Sequence, residues 1–199
     1  MVKTIVGSFD SFNEAHQVAN DLRAAGFLDS DISIVANNAA GEYRDDPRVT
    51  TTDDSETSAT AKGAVTGAVV GGGAGLAASL AGLAIPGIGP IIAAGPIVAT
   101  LAGAGTGAVA GGLIGGLVDL GVPESDAQYY AESVRRGGAL VTVRADGSRA
   151  DEVSDILRRH GAVDIEGRVE RWREGGWERF DQESRPYTVD EIQRDRMMY

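Results

Sequence analysis

Apolar and polar positions follow three different rules along this chain, and each rule predicts a different kind of element. Lys3 to Phe9 is a short run rich in branched residues, which reads as a strand. Ser11-x-x-Glu14 then offers a capping box, and Phe12, Ala15, Val18, Ala19 and Leu22 recur at spacings of three and four on one helical face. Gly26 supplies the stop, and Ile32 to Ala36 is the next strand, so the first 36 residues read as a β-α-β unit.

The same pattern returns towards the other end. Leu140 to Arg144 reads as a strand and a helix follows from about Arg149 with Ala150, Val153, Ile156 and Leu157 inward. Gly161 ends that helix, and Val163 to Ile165 reads as a last strand. A shift of 135 positions carries Ala15 onto Ala150, Val18 onto Val153, Leu22-Arg23 onto Leu157-Arg158 and Gly26 onto Gly161. Two such halves predict an α+β fold of the ferredoxin-like kind, a four-stranded sheet with helices on one face. An additional helix precedes the second half, opened by Pro123 with Ala127, Tyr130, Ala131 and Val134 inward and closed by Gly137-Gly138.

Between these halves both rules lapse. Gly63 to Val118 holds no charged and no aromatic residue, and 17 of the 28 glycines fall there. Gly63, Gly67, Gly71 and Gly75 form one stripe at a spacing of four, and Gly103, Gly107, Gly111 and Gly115 form a second one forty positions later. Glycine costs about 1 kcal/mol at each helical position, so helices that repeat it need close backbone-to-backbone packing. Pro86, Pro90 and Pro96, with Gly87, Gly89 and Gly95, interrupt the pattern. The block therefore predicts a glycine-zipper α-hairpin with these eight glycines as helix-packing residues and with arms over Gly63–Ile85 and Ile97–Val118. At about 1.5 Å per residue each arm would measure roughly 33 Å, close to the hydrocarbon thickness of a bilayer. A membrane-embedded hairpin and a hairpin buried in a soluble bundle both follow from this pattern, and both imply self-association. An even number of crossings would leave the two α/β halves in one compartment. Acidic flanks and the missing Trp/Tyr belt weigh against insertion.

The organisation expected is then a first half over 1–36, a disordered acidic linker over 37–61, the hairpin over 62–119, the second half over 120–167, and a tail with a short helix over 168–199. The linker is rich in Thr, Ser and Asp and poor in large apolar residues. In the tail Thr188-x-x-Glu191 can cap a final helix, and Trp172, Trp177, Phe180 and Tyr187 lie among charges.

Composition narrows the function. The formal net charge is -11, with all charges outside the glycine block, which argues against nucleic acid and against anionic lipid headgroups as partners. The absence of cysteine excludes disulfides, thiolate nucleophiles and Cys-ligated metal. The first residues lack the apolar core of a secretory signal, which gives a cytoplasmic domain as the expectation, at the inner membrane if the hairpin inserts. Gly105-x-Gly107-x-x-Ala110 matches a dinucleotide fingerprint on paper but lies inside an apolar run without a preceding strand. His16 and His160 have no second histidine or carboxylate at metal-ligand spacing, and Asp45-Asp46 and Asp53-Asp54 sit in the linker, where no scaffold holds a catalytic geometry. Arg135-Arg136 and Arg158-Arg159 end helices, where cations suit the dipole. No catalytic, cofactor-binding or metal-ligating residue is assigned, and no small-molecule substrate.

The stretches VGSFDSFNEAHQVANDLRAAGF, PESDAQYYAESVRRGGALVTV and ILRRHGAVDIE, together with the glycine hairpin between them, resemble bacterial general stress proteins of the heat-induced, 17M-like type. The resemblance covers most of residues 1 to 167 and implies a stress-induced bacterial protein with no assigned catalytic activity and no known active-site residues to carry over. A self-associating, membrane-associated stress protein is the reading expected first. A soluble oligomeric scaffold, or a small-ligand module on the open sheet face, is the alternative.

Overall fold

The computed structural model describes residues 1–41, 79–97, 101 and 112–198. It is a mixed α+β structure with a five-stranded antiparallel sheet and, among the described residues, six α-helices. In chain order the strands are β1 (Val2–Phe9), β2 (Ile32–Asn37), β3 (Ser79–Ile85), β4 (Gly89–Ala94) and β5 (Ala139–Asp146). The helices are α1 (Phe12–Ala24), α2 (Gly112–Asp119), α3 (Glu124–Arg135), α4 (Ala150–Arg159), α5 (Ile165–Glu174) and α6 (Val189–Arg196). The sheet order is β1-β5-β2-β4-β3.

The first unit forms as its pattern predicts. Ser11 caps α1 by accepting the Glu14 N–H, and Phe12, Ala15, Val18, Ala19 and Leu22 are the residues that α1 buries. The repeat is visible in how α1 and α4 end. Gly26 and Gly161 both take positive φ, and in each case the next residue donates back to the last apolar residue of the helix, Phe27 to Leu22 and Ala162 to Leu157. A left-handed residue followed by this 6→1 bond is what glycine at that position permits without a Cβ clash.

Helices cover both faces of the sheet, where the sequence predicts one. On one face α1 and α4 pack Phe12, Val18, Leu22, Val153 and Leu157 against Ile32, Ile34, Val141 and Val143. On the other, α2 and α3 pack Leu113, Leu117, Ala127, Ala131 and Val134 against Val35, Ile91 and Leu140. The physical reason is in β2, all of whose residues are buried, and in the run Ala139 to Val143, apolar apart from Thr142. Strands without polar alternation need cover on both sides.

Two other expectations are corrected. The first helical arm does not continue to Ile85: Ser79–Ile85 is β3, turned through Pro86–Ile88 into β4, and β4 pairs with β2 from Ile34↔Ala94 to Asn37↔Ile91. A short all-apolar run cannot be assigned to helix or strand by periodicity, and here the Pro/Gly turn together with the open edge of β2 decides for a hairpin. The strand expected at Val163–Ile165 is reduced to one bond, Val163 N–H to the Ser8 carbonyl at 2.8 Å. Asp164 instead caps α5 through the Gly167 N–H, so the chain turns away from the sheet.

Candidate functional site

The glycine stripes carry the functional expectation. Gly63, Gly67, Gly71, Gly75, Gly103, Gly107 and Gly111 lie outside the described residues. Gly115 lies on α2, and a Cβ built on it meets nothing within 4 Å among the described residues. It is half-buried on a helix fixed in the core by Leu113 and Leu117. Gly116, next in sequence, is buried.

The densest polar cluster lies elsewhere, at the C-terminal end of α3, and the tail builds it. Glu132 is completely buried, with Arg136 Nε donating to it at 2.7 Å and Arg135 at 3.3 Å. Arg136 also donates to Asp195 of α6 at 2.9 Å. Its guanidinium lies 4.8 Å from the centre of the Trp172 ring, and the Arg135 guanidinium lies 4.9 Å from that of Tyr187. The next residue of α6, Arg196, donates to the Gly137 carbonyl at 2.8 Å. From α5, Arg168 donates to Asp10 at 2.6 Å.

Burial and charge oppose each other in this cluster. Burial alone would lower the Arg136 pKa, but Glu132, Tyr187 and Asp195 outweigh it and hold the guanidinium above its ordinary value. Burial raises the Asp195 carboxyl and Arg136 opposes that, with the net shift upward. The Tyr187 hydroxyl is raised as well, first by burial. A buried carboxylate shared by two guanidiniums, one of them bonded onward to the tail, is a docking arrangement. Its charges are satisfied by one another.

Between Asp10, Arg136, Arg168, Trp172 and Asp195 lies a hollow of about 10 Å³, room for a single water. Trp172 Nε1 is buried beside it and, among the described residues, has no hydrogen-bond partner. A second hollow of the same size, lined by Ile85, Ile88, Leu113, Ala131 and Phe180, lies where the tail crosses the hairpin.

Of the residues weighed for chemistry, His160 bonds Asp21 across helices α4 and α1 at 2.8 Å, and His16 Nδ1 lies 3.2 Å from the Asn20 amide. Among the described residues no three metal-ligating side chains gather. Arg158 pairs with Asp155 on the surface of α4. The sequence reading of Arg135-Arg136 as simple helix-end cations missed Glu132, although its spacing of three and four from them was the available signal. Asp195 is about sixty positions away, and no local pattern could connect it. Set against protein-family models, curated proteins and solved structures, the chain matches none of them.

Proposed function

We propose that this chain is a non-enzymatic protein of the bacterial general stress response that self-associates through its glycine-rich block. The observation that carries the proposal is how that block is mounted. In its middle β3 and β4 extend the sheet beyond β2, and at its C-terminal end Leu113 and Leu117 of α2 are buried against α3. Both mounts tie the block to a rigid core, and among the described residues nothing lies within 4 Å of a Cβ placed on Gly115. A ridge without side chains lets a second helix approach closely. The strands β1, β5 and β2, with α1 joining β1 to β2 and α4 following β5, have the neighbour order of a split β-α-β sheet, which supports a ferredoxin-like core with its fourth strand lost and a hairpin added at the far edge.

The mounts also weigh between a soluble bundle and a membrane hairpin. With Ser79–Ala94 in the sheet and Gly112–Asp119 in the core, the uncharged segments outside them are 63–78 and 95–111, sixteen and seventeen residues. A spanning helix needs about 20 residues. Among the described residues, no helix is long and apolar enough to cross a membrane. We therefore favour the soluble oligomer. A membrane-associated form at the inner membrane is the second reading, favoured by the length of the block without charge. Fractionation of the full chain decides between them: recovery in the soluble fraction without detergent is expected, and a strict requirement for detergent would establish the second reading.

A further inference from the structure

The edge of the sheet at β1 is set up to receive one more strand. Backbone groups along β1 alternate between the two sides of the strand. The Met1 carbonyl accepts from Gly147, next to β5 in the pairing register, so the odd-numbered positions Met1, Lys3, Ile5, Gly7 and Phe9 turn their N–H and C=O towards β5. The Ser8 carbonyl accepts from Val163 on the opposite side, which sets the even positions outward. Val2, Thr4 and Val6 thus present their amides and carbonyls at the outer edge, and among the described residues nothing bonds to them. This is the slot from which the chain departs when Asp164 starts α5. Natural edge strands are usually blunted by proline, a bulge, charged side chains, lysine above all, or a covering segment, and of these devices β1 carries a single lysine, Lys3. β1 has no proline, and its register against β5 runs without a break from Val2↔Asp146 to Phe9↔Ala139.

We propose that this edge pairs antiparallel with β1 of a second copy of the chain, with Thr4 opposite Thr4 of that copy, so that the sheet continues across a two-fold axis. The strand is self-complementary in this register. Val2 falls opposite Val6 of the second copy, and all three outward positions carry β-branched side chains, which pair well across strands. Lys3, the one charged side chain of β1, falls opposite Ile5 and not opposite its own copy. β1 holds no acidic residue, so the edge lacks the negative charge that otherwise keeps copies of a -11 chain apart. The pairing proposed here uses no residue of the glycine block.

The test uses the full chain, with amide hydrogen exchange read at low and high protein concentration. The amides of Val2, Thr4 and Val6 should exchange about tenfold more slowly in the concentrated sample, while that of Lys3, already turned to β5, should not change. Val2→Pro and Thr4→Pro each remove an outward N–H without touching the β1–β5 ladder, and each should abolish the concentration dependence and lower the sedimenting mass. Val2 is exposed at the start of the strand, so Val2→Pro keeps the test valid should Thr4→Pro fail to fold. Replacing Gly67, Gly71, Gly107 and Gly111 with leucine should leave the protection at β1 in place, which separates this interface from the glycine one. Equal exchange at both concentrations, or proline variants with unchanged mass, would overturn the proposal.

Discussion

Single residues fix this fold where the backbone has no room or a charge has no water. Gly95, at the end of β4, takes φ +86°, and a Cβ there would lie 2.1 Å from the Ile32 carbonyl oxygen. Gly95→Ala should therefore cost about 3 kcal/mol or more and loosen the hairpin from β2, as read by urea unfolding. Gly115 is the opposite case. With open space around its Cβ position among the described residues, Gly115→Ala should leave the fold as stable as before or raise its stability by about 1 kcal/mol. Glu132 shows what burial does to a charge: Glu132→Ala strands the Arg136 guanidinium and should cost about 3 kcal/mol, with the tail contact through Asp195 left to hold it alone. Of these three residues, sequence reading reaches only Gly115, because its stripe is a pattern. The clash at Gly95 and the burial of Glu132 arise from segments far apart along the chain.

Elements were legible in proportion to how local their causes are. α1, α3 and α4 follow from their own periodicity and end at the predicted glycines. α6 follows from its capping box, which forms in full between Thr188 and Glu191. β3 and β4 were not legible, since an apolar run without alternation takes its form from the neighbour it pairs with, here β2. The capping box makes a pH prediction. The Arg185 guanidinium, and then the Thr188 N–H and hydroxyl, hold the Glu191 carboxyl well below its ordinary value of 4.5. A lowered carboxyl contributes order that is complete above that ordinary value and is lost as the pH falls below it. Protection of the Ile192 amide, which donates to the Thr188 carbonyl, should weaken on acidification below about pH 4.5. In Glu191→Gln this acid limb should flatten; a limb identical to that of the parent would show that the carboxylate plays no part.

At the scale of the whole molecule, a mixed α+β core, helices on both faces, grips an apolar glycine-rich block at its middle, through β3 and β4, and at its C-terminal end, through α2. The tail takes part in that grip: Gly87 in the hairpin turn lies against the backbone of Asp181 and Gln182, and Gly89 lies against Pro186. Removing residues 177–199 should therefore weaken the hairpin as well as expose Trp172, and hydrogen exchange at Ile91 and Ile92 should rise. The central claim is that the block joins copies of the chain. Sedimentation velocity of the full chain, free of detergent, tests it most directly when run beside the variant with leucine at Gly67, Gly71, Gly107 and Gly111. The expected result is a discrete species of several times the 20.6 kDa chain mass that shrinks in the variant while the α/β core stays folded. A parent that sediments as a single 20.6 kDa chain, or a variant of undiminished size, would contradict it.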